Sequence, residues 1–234
     1  MTVSVEDLKR AAGYAAVDAY VRAGTCIGLG TGSTARWAVE RVGERVRAGE
    51  DIVAVATSSQ TQALCRERGI PLVALLDRPM DVAIDGADEV APDGALTKGG
   101  GGALFREKAV ALAASRFVVI VSEEKLVDKL GAFPTPVEIV PFALRWFEHE
   151  AARLFPRATL RRRMQGDAPF VTDNGNALVD CAFGLIENPA ALADALRAIH
   201  GVVDVGIFIG LTDAVVVAGA GGVRTLAFRR TVRN

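Results

Sequence analysis

Cysteine and histidine are scarce in this chain of 234 residues, and each shortage excludes something. Cys26, Cys65 and Cys181 are odd in number and far apart. They form neither a disulfide framework nor a metal-ligand spacing, which suits a reducing compartment. His149 and His200 have no companion ligands nearby in sequence, so no metal site is expected. An excess of one charge is missing too: 27 Lys and Arg against 28 Asp and Glu leave a formal net charge of −1. That balance gives no electrostatic reason to expect nucleic acid or an anionic membrane as partner. The basic cluster Arg161-Arg162-Arg163 is an exception and reads as a solvated edge or loop. No apolar run is long enough for a bilayer, and Met1 to Arg10 is charged rather than apolar. The expectation is a soluble cytoplasmic protein.

Core-forming residues are plentiful. Hydrophobic residues make up 50% of the chain, enough for one large domain or two small ones. In the first half, apolar residues at helical spacing (Leu8, Ala11, Ala12, Ala15, Ala19) predict a helix from Val5 to Arg22, ended at Gly24. A strand at Thr25–Gly30 leads to a helix capped by Ser33 or Thr34 and running to Ala48. Strands follow at Ile52–Ala56, Gly69–Leu72 and Val82–Ile84, with a helix to Arg68 and another over Ala103–Ala114. Phe117–Val121 is almost continuously apolar, as a buried parallel strand is. This alternation predicts an open, mostly parallel, Rossmann-like α/β sheet with helices on both faces.

After Phe133-Pro134-Thr135-Pro136 the texture changes. A strand (Val137–Val140), a helix (Ala143–Leu154), a hairpin joining Phe170–Thr172 to Ala177–Cys181, a helix from Asn188-Pro189 and a strand (Val202–Ile209) follow. That order is the split pattern of a smaller ferredoxin-like α+β domain. The expected division is a catalytic domain over 1–132, completed by the strand-like tail 208–234, and a second domain over 133–207.

Chemistry concentrates between Asp85 and Lys108. Asp85-Gly86-Ala87-Asp88-Glu89 follows an apolar strand, at the carboxyl end where open sheets place ligands. Lys98 is followed by Gly99, Gly100, Gly101 and Gly102, and Arg106-Glu107-Lys108 opens a helix. Carboxylates, a lysine and a run of bare backbone amides are tools for moving protons beside an anionic intermediate. Taken alone, Glu107 reads as a solvated surface charge. Upstream, Gly28-Leu29-Gly30-Thr31-Gly32-Ser33-Thr34 joins a strand to a helix N-terminus. It is no dinucleotide fingerprint, because Ser33 replaces the third glycine and Thr57-Ser58-Ser59 stands where a ribose-binding acid is needed. Its hydroxyls favour a compact phosphate over a plain tight turn. Lys125 follows another apolar strand and belongs to the same sheet edge.

Together these segments closely resemble ribose-5-phosphate isomerase of the A type. The matching elements are Gly30-Thr31-Gly32-Ser33-Thr34-Ala35, Thr57-Ser58-Ser59, Asp85 to Glu89, Lys98 to Gly101 with Arg106-Glu107-Lys108, Phe133 to Glu138, and Val171 to Asn176. They occur in family order over nearly the whole chain. Ile209-Gly210-Leu211-Thr212-Asp213 matches only loosely. The resemblance implies a cofactor-free, metal-free interconversion of ribose 5-phosphate and ribulose 5-phosphate in the non-oxidative pentose phosphate pathway. It also implies oligomers, a homodimer or a higher assembly, and the 133–207 domain is expected to serve oligomerisation.

By motif, the resemblance makes Glu107 the proton-transferring base. Thr31, Gly32, Ser33, Thr34, Asp85, Gly86, Ala87, Asp88, Lys98, Gly99, Gly100, Gly101 and Lys125 become substrate contacts. Within that frame Lys98 and the glycine amides support the oxyanion, Asp85 exchanges a proton during ring opening, and Asp88 orders hydroxyls and Lys98. The phosphate sits at Thr31 to Thr34, with Lys125 as counter-charge. Two other readings stand beside this one: an amino-sugar phosphate deaminase on a similar fold, and a non-enzymatic sugar-phosphate sensor.

Overall fold

The side chains of Ser4, Ser58 and Asn188 cap three of the helices in this chain. The computed structural model describes residues 4–232. The Ser4 hydroxyl accepts from the Asp7 amide at 3.1 Å while the Asp7 carboxylate accepts from the Ser4 amide at 3.3 Å. That reciprocal cap opens α1 (Val5–Tyr20). β1 (Cys26–Leu29), α2 (Ala35–Arg47), β2 (Val53–Ala56), α3 (Ser59–Glu67) and β3 (Val82–Gly86) follow. Two short strands, β4 (Glu89–Val90) and β5 (Leu96–Thr97), precede α4 (Leu104–Ala113) and β6 (Phe117–Ser122). Next come β7 (Thr135–Ile139), α5 (Leu144–Leu154), β8 (Thr159–Arg162), β9 (Met164–Gln165), β10 (Ala168–Pro169) and β11 (Ala177–Ala182). The chain ends through α6 (Pro189–Arg197), β12 (Val202–Val205), β13 (Ile207–Phe208), β14 (Ala214–Gly219) and β15 (Gly222–Ala227). Two compact units result: Met1–Ala87 with Arg106–Leu126 and Gly210–Asn234, and Asp88–Phe105 with Val127–Ile209.

In the first unit six strands run in the order β15-β14-β6-β3-β1-β2. Every neighbouring pair is parallel except the terminal β14–β15 hairpin. Successive residues of a strand face opposite ways. Ile27 and Leu29 accordingly join the core with Ala12, Ala16 and Val17 of α1 and Ala38, Val39 and Val42 of α2. Gly28, between them, faces Val110 of α4. Helices therefore cover both faces, as the alternation predicts. β1 lies between β2 and β3, so chain order reverses there and the carboxyl ends of β1 and β3 flank a switch point. The Gly69–Leu72 strand expected from sequence shrinks to one bridge, Leu72 to Ala54.

The second unit carries a four-stranded antiparallel sheet in the order β12-β7-β11-β8. Its first strand sits between its last and its third, the arrangement of a ferredoxin-like module. Val137, Ile139, Val179, Cys181 and Val205 pack against Phe147, Ala151, Ala193 and Leu196 of the two helices. The expected hairpin partner of β11 is displaced: β8 pairs with it, and Val171 makes only a bridge to Ala177. Arg162 to Thr159 of β8 occupy the positions opposite Val179 to Ala182, and Pro169 pairs instead with Met164 of β9. The expected strand Val202–Ile209 is cut at Gly206, after which Ile207–Phe208 pair with β5. That small β13-β5-β4 sheet draws Asp88–Phe105 into the second unit, although the sequence pattern assigns the segment to the first.

Candidate active site

The glycine loop after β1 is held by the strand beside it. The Gly30 amide donates to Ile84 O at 2.9 Å, and the Thr31 amide donates to Asp85 Oδ1 at 3.1 Å. A Cβ on Gly30 would run into the Asp85 carboxylate, so glycine is required there. The Thr31 hydroxyl, expected to help bind phosphate, turns inward. It lies 2.7 Å from Thr57 Oγ1, 2.7 Å from Ser58 Oγ and 3.2 Å from Thr61 Oγ1. Thr61 Oγ1 in turn donates to Gly30 O at 2.8 Å. Thr57-Ser58 thus serves to brace the loop and, through Ser58, to cap α3.

Gly32 and Ser33 stay exposed at the entry of α2, and Thr34 is half-buried. Thr34 occupies the cap position of α2 without a side-chain capping bond. Gly30, Gly32, Ser33, Arg36, Gln60 and Thr61 are among the residues lining a cavity of about 250 Å³. The first amides of any helix lack intrahelical acceptors, so a small anion is favoured at such an entrance.

Asp85 lies inside β3 rather than beyond it and is 2% exposed. Its Oδ1 accepts from the Thr31 amide and, at 2.7 Å, from the Gly86 amide. Gly86 in turn adjoins Thr34, whose Cβ would stand 3.8 Å from a Cβ placed there. Lys125 occupies a short helical turn just after β6, the strand next to β3. Beside it, burial raises the Glu124 carboxyl pKa. The Ser122 hydrogen bond, Glu124's own amide and the charges of Lys125 and Lys9 outweigh that and leave it below its ordinary value.

Glu107 reverses its surface reading. It sits in the first turn of α4 and is 3% exposed, while Arg106 and Lys108 on either side are half-buried. A carboxylate in the first turn complements the helix dipole.

In the second unit, Lys98 is 2% exposed. Its amide donates to Gly206 O at 2.8 Å, and its Nζ stands 5.5 Å from the Phe208 ring centre. Asp88 Oδ2 accepts from the Gly100 amide at 2.8 Å, joining the two segments that the sequence singles out. Gly100 and Gly101 are exposed, Gly99 is buried. Glu89 is structural, accepting from Thr97 Oγ1 at 2.7 Å, Gly131 N at 2.9 Å and Phe133 N at 2.8 Å. Glu138 plays the same part for the Asn-Gly turn. Its Oε1 accepts from Thr172 Oγ1 at 2.9 Å, Asn174 Nδ2 at 3.0 Å and Asn176 Nδ2 at 2.8 Å.

Residues 53–222 match the family model for ribose 5-phosphate isomerase A (phosphoriboisomerase A). The chain belongs to the ribose 5-phosphate isomerase A family. It is 49% identical to the ribose-5-phosphate isomerase A of Natronomonas pharaonis over 218 residues, covering 93% of this chain and 96% of that one. The counterpart from Rhodopseudomonas palustris strain HaA2 is 49% identical over 229 residues, covering 94% and 97%. Among solved structures, a D-ribose-5-phosphate isomerase in complex with phospho-erythronic acid superposes with a TM-score of 0.91 at 39% identity, over 96% of this chain and all of that one. The Plasmodium falciparum enzyme gives 0.92 at 35%, over 95% and 98%. The family's mixed α/β fold, with its largely parallel sheet, is the fold described above.

Sequence reasoning passes over Arg36, Gln60 and Lys9. Arg36 stands one helical turn after Gly32, a spacing that could draw attention to it. Lys9 carries no local signal, because only folding brings α1 to the end of β6. Among the described residues no cluster of His, Cys, Asp or Glu is built to hold a metal, and no helix is long and apolar enough to cross a membrane.

Proposed function

We propose that this chain interconverts ribose 5-phosphate and ribulose 5-phosphate through an enediolate, without a cofactor, in the non-oxidative pentose phosphate pathway. The observation that carries the mechanism is Glu107, an acid buried in the first turn of α4 in a member of this family. In the open-chain aldose a base takes the proton from C2 and charge gathers on O1; the O2 hydroxyl proton passes to O1, and the base returns its proton to C1 as the carbonyl forms at C2. A single carboxylate can serve both carbons if each comes within about 3 Å in turn. Glu107 is that carboxylate.

Lys98 and the amides of Gly99 and Gly101 supply positive partners for the oxyanion, while the Gly100 amide is taken by Asp88. Asp85, oriented by two backbone amides, exchanges a proton with the ring oxygen or O1 as the sugar opens. Asp88, already bonded to the Gly100 amide, orders the sugar hydroxyls and this loop. The phosphate is received by Gly32, Ser33 and Thr34 and by the backbone of Thr31, with Lys125 and Arg36 as cations. Gly86 and Ala87, at the end of β3, shape the adjoining wall. A phosphate held away from the reacting carbons helps turnover as well as binding, so unphosphorylated ribose should be a poor substrate.

The chain is also proposed to act as a cytoplasmic homodimer. Three buried, free cysteines support a reducing compartment. Phe142 at 99% exposure and Trp146 at 52% support an apolar contact surface on the second unit. The deciding experiment incubates chelator-treated protein with ribose 5-phosphate in D2O and follows ribulose 5-phosphate and solvent deuterium at the sugar carbons. A parallel incubation with an amino-sugar 6-phosphate reads ammonia. Formation of ribulose 5-phosphate is expected; ammonia release, or binding with no turnover, would replace this reading by the deaminase or the sensor.

A further inference from the structure

The basic triplet Arg161-Arg162-Arg163 contains three different environments. Arg161 is exposed. Arg162 is also exposed and pairs with Glu148 at 2.5 Å. Arg163 is not solvated: its side chain is only 14% exposed. Its Nε donates to Asp180 Oδ2 at 3.0 Å and its Nη2 to Asp180 Oδ1, a two-pronged contact. The remaining arm, Nη1, donates to Gly99 O at 2.6 Å and to Gly100 O at 3.1 Å. Strand geometry explains the meeting. Asp180 lies opposite Arg161 in the β8–β11 ladder, and Arg163 continues that ladder through its amide to Leu178 O. Arg163 and Asp180 therefore share the face away from Val179 and Cys181.

The two carbonyl bonds dictate where the loop's amides point. A trans peptide is planar, with its C=O and the following N–H directed oppositely. Gly99 O bound to Arg163 sends the Gly100 amide the other way, and that amide is the one that donates to Asp88 Oδ2. Gly100 O bound to Arg163 sends the Gly101 amide away from the guanidinium as well. Phe170 completes the support. Its ring lies where a Cβ on Gly102 would fall, at a backbone φ of +78° that already favours glycine. Its ring centre stands 6.0 Å from the Arg163 guanidinium carbon, and its amide donates to Arg163 O at 3.0 Å.

We propose that Arg163, braced by Asp180, is a positioning residue: it turns the Gly99 and Gly100 carbonyls away so that the Gly100 and Gly101 amides face Asp88 and the sugar's developing oxyanion. The inference rests on the reading of Lys98 to Gly101 as the oxyanion loop. Lysine cannot replace the arginine, since an ammonium offers no planar fork for a carboxylate and two carbonyls together.

The test uses the full chain with ribose 5-phosphate, comparing Arg163→Ala, Arg163→Lys, Asp180→Asn, Lys98→Ala and Glu107→Gln with the wild type. Removing a preorganised oxyanion donor costs about 100- to 1,000-fold in kcat, and a donor misplaced rather than removed should cost roughly 10- to 100-fold. That loss is expected in Arg163→Ala and Arg163→Lys, with KM within about threefold, because phosphate binding is untouched. Guanidinium ion at millimolar concentration should restore part of kcat in Arg163→Ala and none in Glu107→Gln. Asp180→Asn, close to isosteric, should fold even if Arg163→Ala does not, and should lose several-fold in kcat with KM held. A kcat per folded molecule within threefold of wild type in Arg163→Ala or Asp180→Asn overturns the proposal, as does full rescue by lysine. If Lys98→Ala and Glu107→Gln also remain active, the underlying catalytic reading falls. If they are impaired while the Arg163 and Asp180 variants are not, only the positioning role falls.

Discussion

Replacing Glu107 by glutamine changes one atom of a buried side chain and removes one negative charge. The side chain is 3% exposed and begins α4, so its shape is retained while the helix entrance loses a favourable anion. A first-turn carboxylate contributes about 0.3–1 kcal/mol through the helix dipole. For a chain of this size that corresponds to a fall in Tm of roughly 1–4 °C, so the variant should fold. Its chemistry should suffer far more. A positioned proton-transfer group is worth about 100- to 10,000-fold in rate, or about 2.7–5.5 kcal/mol of barrier. The assay follows wash-in of deuterium at C2 of ribose 5-phosphate by NMR, alongside direct binding of the substrate by calorimetry. Binding within a few-fold of wild type, with exchange and turnover depressed together, is expected. Near-normal exchange in Glu107→Gln would refute the assignment, because an amide cannot accept and return that proton. Lost binding with normal exchange per bound sugar would make Glu107 a binding group instead.

Three further outcomes test the surrounding scaffold. Glu138→Ala strips Thr172, Asn174 and Asn176 of a shared acceptor. Bonds to a charged group are worth about 1.5–3 kcal/mol, so thermal melting should fall by several degrees; an unchanged Tm would refute the role given to Glu138. Burial pushes the Cys65 thiol pKa up to about 12. The unfolded thiol titrates near 8.5, so this contribution to stability is complete below about pH 8.5 and is lost as pH rises through the folded value. The denaturant midpoint of the wild type should therefore fall more steeply with alkaline pH than that of Cys65→Ala, and equal slopes would count against the burial argument. Finally, Phe142→Asp should convert a dimer into a monomer by light scattering while leaving the fold intact. An unchanged mass would move the interface elsewhere, and a monomeric wild type would remove it.

Much of the first unit is legible in sequence because each of its signals is local. The apolar run Phe117–Val121, the glycine turn after β1 and Asp85 behind its apolar strand all lie within a few residues of the features that explain them. What escapes depends on partners distant in sequence. β4 and β5 are two residues each, too short for any period, and exist because Ile207–Phe208 returns to pair with Leu96–Thr97. The Thr31 hydroxyl reads as a phosphate ligand, and only folding brings Thr57, Ser58 and Thr61 around it. The Val171–Asn176 motif marks a turn whose anchor, Glu138, lies more than thirty residues earlier.

Two charged triplets expose the limit of composition most clearly. Arg106-Glu107-Lys108 and Arg161-Arg162-Arg163 both read as solvated surface, and in each one residue is largely hidden. Successive residues turn by about 100° along a helix and about 180° along a strand, so no three neighbours share one environment. Arg162 reaches Glu148 on α5, whereas Arg163, on the opposite face, reaches Asp180 and the glycine loop. Helix phase and strand register decide which member of a triplet turns inward, and a tally of charges averages over both. In this chain the member turned inward is each time the one with a proposed role: Glu107 as the base, and Arg163 as the support for the glycine loop.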